Sequence, residues 1–354
     1  MAHWFHRNPI KASAPVSFES IRHIATNPSA TKILSCVADA VFELMSMCIN
    51  VALWLTKHAA KVAGKEDITM DEAKEVHTCL RTAGGMFQYV KDSLLPKLGD
   101  ISAEKGADTD ARVIEACKMQ CVAEAQEVTV ARAVELKHKA SLIASLANET
   151  SGLFTAAGDS LKSVDDTKAG KWRKYLEMKA AFYLSYAHCF QGELLLDEEE
   201  CGKAIRSLQE SDTMYKKAEA LCKEYSSTKG AGSTARPQEH PFFKRIGPLM
   251  KTRLDKATRE NGFIYFHKVP AEPPDLELKA TYGLASPQEF SIPAAISTWT
   301  DAYAGFDASK AQSPKVSQCL KAAGGSGEDI KPVHENEDKG PVKPAKNTSG
   351  CVIS

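Results

Sequence analysis

From about Asp39 to Asn261 the apolar residues of this chain recur three and four positions apart, in long stretches broken by Gly, Pro and polar clusters. That period belongs to helices, so the chain is expected to be mainly all-α, built from several long helices. The first is predicted over Asp39–Ala63, with Phe42, Met45, Ile49 and Leu53 on one face and Gly64 as its stop. The second is predicted from Thr69, where Glu72 three residues on completes a capping box, to Pro96, with Gly84-Gly85 weakening its middle. Further helices are read at Thr109–His138, Lys139–Lys162, Thr167–Leu196, Glu200–Tyr225 and Glu239–Asn261, separated by short polar connections and the loose Ser226–Pro237 segment.

Long helices joined by short loops pack antiparallel to their neighbours. Small residues such as Ala204, Ala218 and Ala220 permit close approach, as in tetratricopeptide-like arrays, although no strict sequence repeat is visible. Before Cys36 the chain is mixed, and Pro15-Val16-Ser17-Phe18 is the only hint of a strand. After Asn261 the run Phe263–Phe266 leads into Pro-rich extended sequence that could pack across the helices. We therefore expect a helical domain over residues 1–307 and a flexible tail over 308–354, where large apolar side chains are too few for a core.

Several classes of function find no support. With 45 basic and 45 acidic residues, no overall field would draw the molecule to nucleic acid or acidic lipid. The most apolar window, Ala40–Thr56, is about 17 residues long and carries Glu43 and Asn50, whereas a membrane span wants about 20 nearly uninterrupted apolar residues. Ten scattered cysteines and an N-terminus without an apolar run suggest a reducing cytosolic or nuclear compartment. Cys117 and Cys121 share a helical face, yet no second ligand pair follows, so no metal is expected. No histidine pair with zincin spacing, phosphate loop or dinucleotide fingerprint is present, and the carboxylates Asp197–Glu200 fit a helix N-terminal boundary. The chain is expected to be no enzyme, to bind no small-molecule substrate and to need no dissociable cofactor.

The sequence Cys351-Val352-Ile353-Ser354 fits a prenylation signal, and its serine favours a farnesyl group on Cys351. One such chain gives only marginal membrane affinity, and Lys331, Lys339, Lys343 and Lys346 are diluted by Glu335, Glu337 and Asp338, so a second contact is expected.

The stretches Gln120–Val128, Leu142–Glu149 and Asn261–Tyr265, with the opening His3–Pro9, resemble the Bro domain of Alix and its relatives. The resemblance covers nearly all of the chain, but the section over residues 1–38 is shortened relative to the family pattern. It implies a non-catalytic adaptor that holds the amphipathic C-terminal helix of ESCRT-III subunits, the charged multivesicular body proteins. It matches Leu142 and Leu146 to two apolar groove positions, Thr129 to a third where some relatives carry phenylalanine, and Arg132 to nearby basic character. Tyr265 matches a tyrosine on the family's convex side. Together with the lipid signal, this implies residence on the cytoplasmic face of a membrane, endosomal or nuclear-envelope, with a cytosolic pool. The competing reading is a tetratricopeptide-type co-chaperone holding extended acidic termini; a hydrolase or metal enzyme is disfavoured by the missing ligand and nucleophile sets.

Overall fold

The structure, a computed structural model, describes residues 5, 30–65, 68–98, 106–230, 232, 235–276, 280 and 282–294, with the backbone alone for 30–40. The predicted strand at Pro15–Phe18 and the tail motif at Cys351 lie outside the described residues. Seven α-helices follow one another: α1 (Ala30–Ala63), α2 (Met70–Tyr89), α3 (Ala111–Glu135), α4 (Ala140–Ser160), α5 (Asp166–Asp197), α6 (Cys201–Ser227) and α7 (Pro241–Glu260). Among the described residues there is no strand, and each helix packs mainly on its neighbours in sequence.

Helix starts follow local chemistry. The Thr69 hydroxyl accepts from Glu72 N–H while the Glu72 carboxylate accepts from Thr69 N–H, the expected capping box. Asp110 and Asp165 cap α3 and α5, and His240 with Pro241 behind it opens α7. Helix α1 begins nine residues before the predicted Asp39, two positions after Pro28, because the apolar run Ile33–Ala38 continues the helix. Near Pro96 the helix following Thr69 does not simply stop. It widens into a π turn over Val90–Leu94, where Leu95 N–H reaches Val90 C=O, and tightens to 3-10 over Leu95–Leu98. A proline without an N–H and with a ring crowding the preceding turn forces that change.

The largest core joins α3 to α7 through a stack of aromatic rings, among them Phe182 on Phe243 at 4.7 Å and Tyr186 on Phe242 at 4.8 Å. A second core, with Met45, Ile49, Phe87 and Ile114, ties α1 and α2 to α3. Ala204 and Ala218 are buried at close helix approaches, whereas Ala220 is exposed. The chain divides into two compact units, Met1–Ser291 and Ile292–Ser354; only the first three residues of the second are described.

Past α7 the chain makes a second π turn, Asn261–Tyr265, then a left-handed residue, Phe266, with φ of 53°. The Asn261 amide closes this turn by bonding both the N–H and the C=O of His267. From there a non-helical strap returns across the array. Arg206 of α6 donates to Ala271 C=O, Gln191 of α5 to Asp275 C=O, and Asn148 of α4 to Leu276 C=O. Gln126 of α3 then donates to Gly283 C=O and accepts from Ala285 N–H, and Arg81 of α2 donates to Ser286 C=O and accepts from Gln288 N–H. Phe290 ends the crossing edge-on to Tyr89 at 5.5 Å.

This crossing explains the paired glycines of α2. A Cβ at Gly84 would sit in ordinary contact, 3.6 Å from Cys121 Cβ, but one at Gly85 would fall 1.7 Å from Gln288 O. Gly85 is therefore the place where strap backbone meets helix backbone.

Candidate functional site

The four residues expected to line a groove come from two successive helices. Thr129 and Arg132 lie one turn apart near the end of α3, and Leu142 and Leu146 one turn apart at the start of α4. The two helices are joined by Leu136-Lys137-His138-Lys139, all exposed, with Lys137 in the left-handed conformation at φ of 53°. Leu142 and Thr129 are half-buried, but Leu146 is only 1% exposed.

The cover on Leu146 is the strap. Gly283 adopts φ of +78°, and a Cβ there would lie 3.5 Å from Leu146 Cδ2 and 3.6 Å from Thr129 Cγ2. Leu146 and Thr129 therefore meet beneath Gly283, and Leu146 forms a closed floor instead of the open contact expected of it. Apolar surface remains at this place: Leu136, Tyr282 and Leu284 are each about half exposed or more, the last two flanking Gly283. Sequence reasoning missed Tyr282 and Leu284, because the strap that carries them bears no periodic pattern.

The surroundings are cationic. Arg132 pairs with Glu135 at 3.2 Å while its Nε is buried with no hydrogen-bond partner, and Lys137 and Lys139 project from the turn. An apolar surface rimmed by basic groups suits a helix with one apolar face and acidic flanks.

Beneath the trough lies a buried polar network. Lys179 of α5 is fully buried and donates to Glu127 of α3 at 2.7 Å, with its ammonium over the rings of Phe5, Tyr175 and Phe154 at 5.4 to 5.8 Å. Glu124 accepts from Gln120 and from the Tyr175 hydroxyl, and Trp172 donates to Gln120. Burial first, then the Glu127 charge, pushes the Tyr183 hydroxyl well above its usual range. Burial, and next the Lys179 charge, pushes His240 down to about 4. The polar residues of Gln120–Val128 thus fix α3 to α5 and, through Gln126, to the strap.

Tyr265 is half-buried, packs on the main core and lies 5.6 Å from the His267 ring. Desolvation, then the carboxylate of Glu199, raises its hydroxyl above the usual range. The Pro-rich sequence that follows packs across the helices as expected, whereas Phe263, 80% exposed, and Phe266, 73% exposed, stay at the surface. Among the described residues no group of three or more His, Cys, Asp or Glu could hold a metal, and no helix is long and apolar enough to cross a membrane.

The fold has counterparts among solved structures. The structure superposes on the chain described as "ALIX BRO1 CHMP4C complex" with a TM-score of 0.57 at 22% identity, over 71% of this chain and 64% of that one. A second solved structure, "Structure basis for endosomal targeting by the Bro1 domain", gives 0.56 at 24% identity, over 70% and 62%. The BRO1-like domain family model matches residues 6–309, and the chain belongs to that family. Among its relatives are the BRO1 domain-containing protein BROX of Danio rerio, 44% identical over the whole of both chains, and that of Homo sapiens, 46% identical over 88% of this chain and 92% of the relative. The Danio rerio alignment spans 422 positions against 354 residues here, so that relative carries residues with no counterpart in this chain.

Proposed function

We propose that this protein is an ESCRT-associated adaptor that binds the amphipathic C-terminal helix of a charged multivesicular body protein on the surface around Thr129, Arg132, Leu142, Leu136, Tyr282 and Leu284. Leu146 supports that surface from below. The observation that carries the reading is an exposed apolar surface with a basic rim, at the place where the family resemblance puts the groove. A related fold described in complex with CHMP4C adds support. The strap argues against the co-chaperone reading, because Arg206, Gln191, Gln126 and Arg81, which could clamp an extended peptide, already hold the chain's own backbone.

The binding test is titration of a fluorescent peptide carrying that C-terminal helix. Leu142→Asp places a carboxylate where the partner's apolar face would dock and is expected to weaken binding about tenfold or more. Arg132→Glu, at a half-exposed position, is expected to weaken it as well. Circular dichroism confirms that each variant is folded, and affinities equal to wild type in both would remove this surface from consideration.

The second half of the proposal is a farnesyl group on Cys351, motivated by the Cys351-Val352-Ile353-Ser354 motif. A single lipid and a modest protein contact would act through effective concentration, on the cytoplasmic face of a membrane. Cys351→Ser is expected to move the protein from the membrane pellet to the supernatant on fractionation of expressing cells. An unchanged pellet fraction would eliminate the lipid tether.

A further inference from the structure

Among the described elements, helix α1 packs on α2 and the turns that follow it and shares apolar clusters with α3, while the face carrying Met47 and Trp54 is exposed. The outermost helix of a stacked array normally presents a polar face to water. This one does not. Glu43, Met47, Asn50, Trp54, Lys57 and Lys61 succeed one another at steps of four and three, and all are exposed. Met47 and Trp54 are each 60% exposed, and Val51 beside them is 49% exposed. Alternating steps of four and three mark the seam by which one helix packs along another. The Trp54 ring is held in place, stacked on His58 at 5.3 Å, and His58 is in turn bound to Glu75 of α2 at 2.6 Å.

The charges along this seam identify an occupant. Its N-terminal end carries Glu43 and its C-terminal end carries Lys57 and Lys61, with the apolar residues between them. We propose that the occupant is a second copy of this chain, packed through α1 antiparallel to α1 about a two-fold axis. In that arrangement Glu43 of each copy lies opposite Lys61 of the other, Met47 lies along the stem of Lys57, and Trp54 meets Asn50. Parallel packing would set Glu43 on Glu43 and lysine on lysine, so the charge order selects one direction. Asn50 inside the seam fixes register at some cost in affinity. The eighteen helical steps from Glu43 to Lys61 span about 27 Å, which makes a small interface and a dimer expected at micromolar strength. This contact is separate from the trough at Thr129 and Leu142 and does not depend on it.

The test is sedimentation of the full chain from low to high micromolar concentration. The average mass is expected to climb from one chain to two and stop there. Trp54→Glu is expected to remain a single chain throughout, with an unchanged circular dichroism spectrum. Glu43→Lys and Lys61→Glu, each alone, are expected to weaken association about tenfold by creating two like-charge contacts per dimer, and the two together are expected to restore it. A single chain at every concentration would overturn the proposal. So would association that grows beyond two chains, or association indifferent to the charge exchange.

Discussion

Lys179→Ala is expected to lower the unfolding free energy by about 3–5 kcal/mol, a large share of the total for a typical domain. The reason is what remains behind. Glu127 is 4% exposed and loses the buried ammonium that joins it to α5, so more of its charge must be held among Phe5, Phe154 and Tyr175 or be neutralised by a proton. Urea unfolding followed by far-ultraviolet circular dichroism measures the loss. Lys179→Met combined with Glu127→Leu removes both charges, keeps the volume, and is expected to recover most of it. A single-variant loss under about 1 kcal/mol would mean that Glu127 relaxes to water and that the pair does not hold the helices together.

Gly84→Ala and Gly85→Ala are expected to act in opposite directions although the residues are adjacent. At Gly84 the new methyl finds ordinary contacts at 3.6 Å, and replacing glycine inside a helix is expected to stabilise by about 0.5–1 kcal/mol. At Gly85 the same methyl would stand 1.7 Å from Gln288 O, so the strap must lift. The bonds joining Arg81 to Ser286 and Gln288, and the Tyr89–Phe290 contact, would then be lost, at a cost of about 3 kcal/mol. Thermal unfolding gives the stability, and limited proteolysis reads cleavage between Ser286 and Ser291. Equal behaviour of the two variants would show that the strap does not bear on α2.

The helices were legible because burial imposes a period on them. Met45 and Ile49 were placed correctly in the core, and Thr69 with Glu72 named a helix start to the residue. What the period could not convey was the strap. It is held through main-chain atoms, which any sequence possesses, by side chains as far as 205 residues away. The trough was legible only in part for the same reason: the spacing of Leu142 and Leu146 puts them on one helical face, but the cover on Leu146 comes from Gly283, remote in sequence. Gln120, Glu124, Gln126 and Glu127 carried a faint signal, being polar residues on several sides of a helix that is mostly buried.

Those four residues have a bearing on how the array assembles correctly. Apolar faces tolerate sliding, since one aliphatic contact substitutes readily for another. Four polar groups on α3, each matched to its own counterpart on the same helix, on α5 or on the strap, do not: a slip of one helical turn would strand them together in the interior. The helix thus carries a built-in check on its own alignment, since any other register leaves charges and dipoles unmatched in the interior.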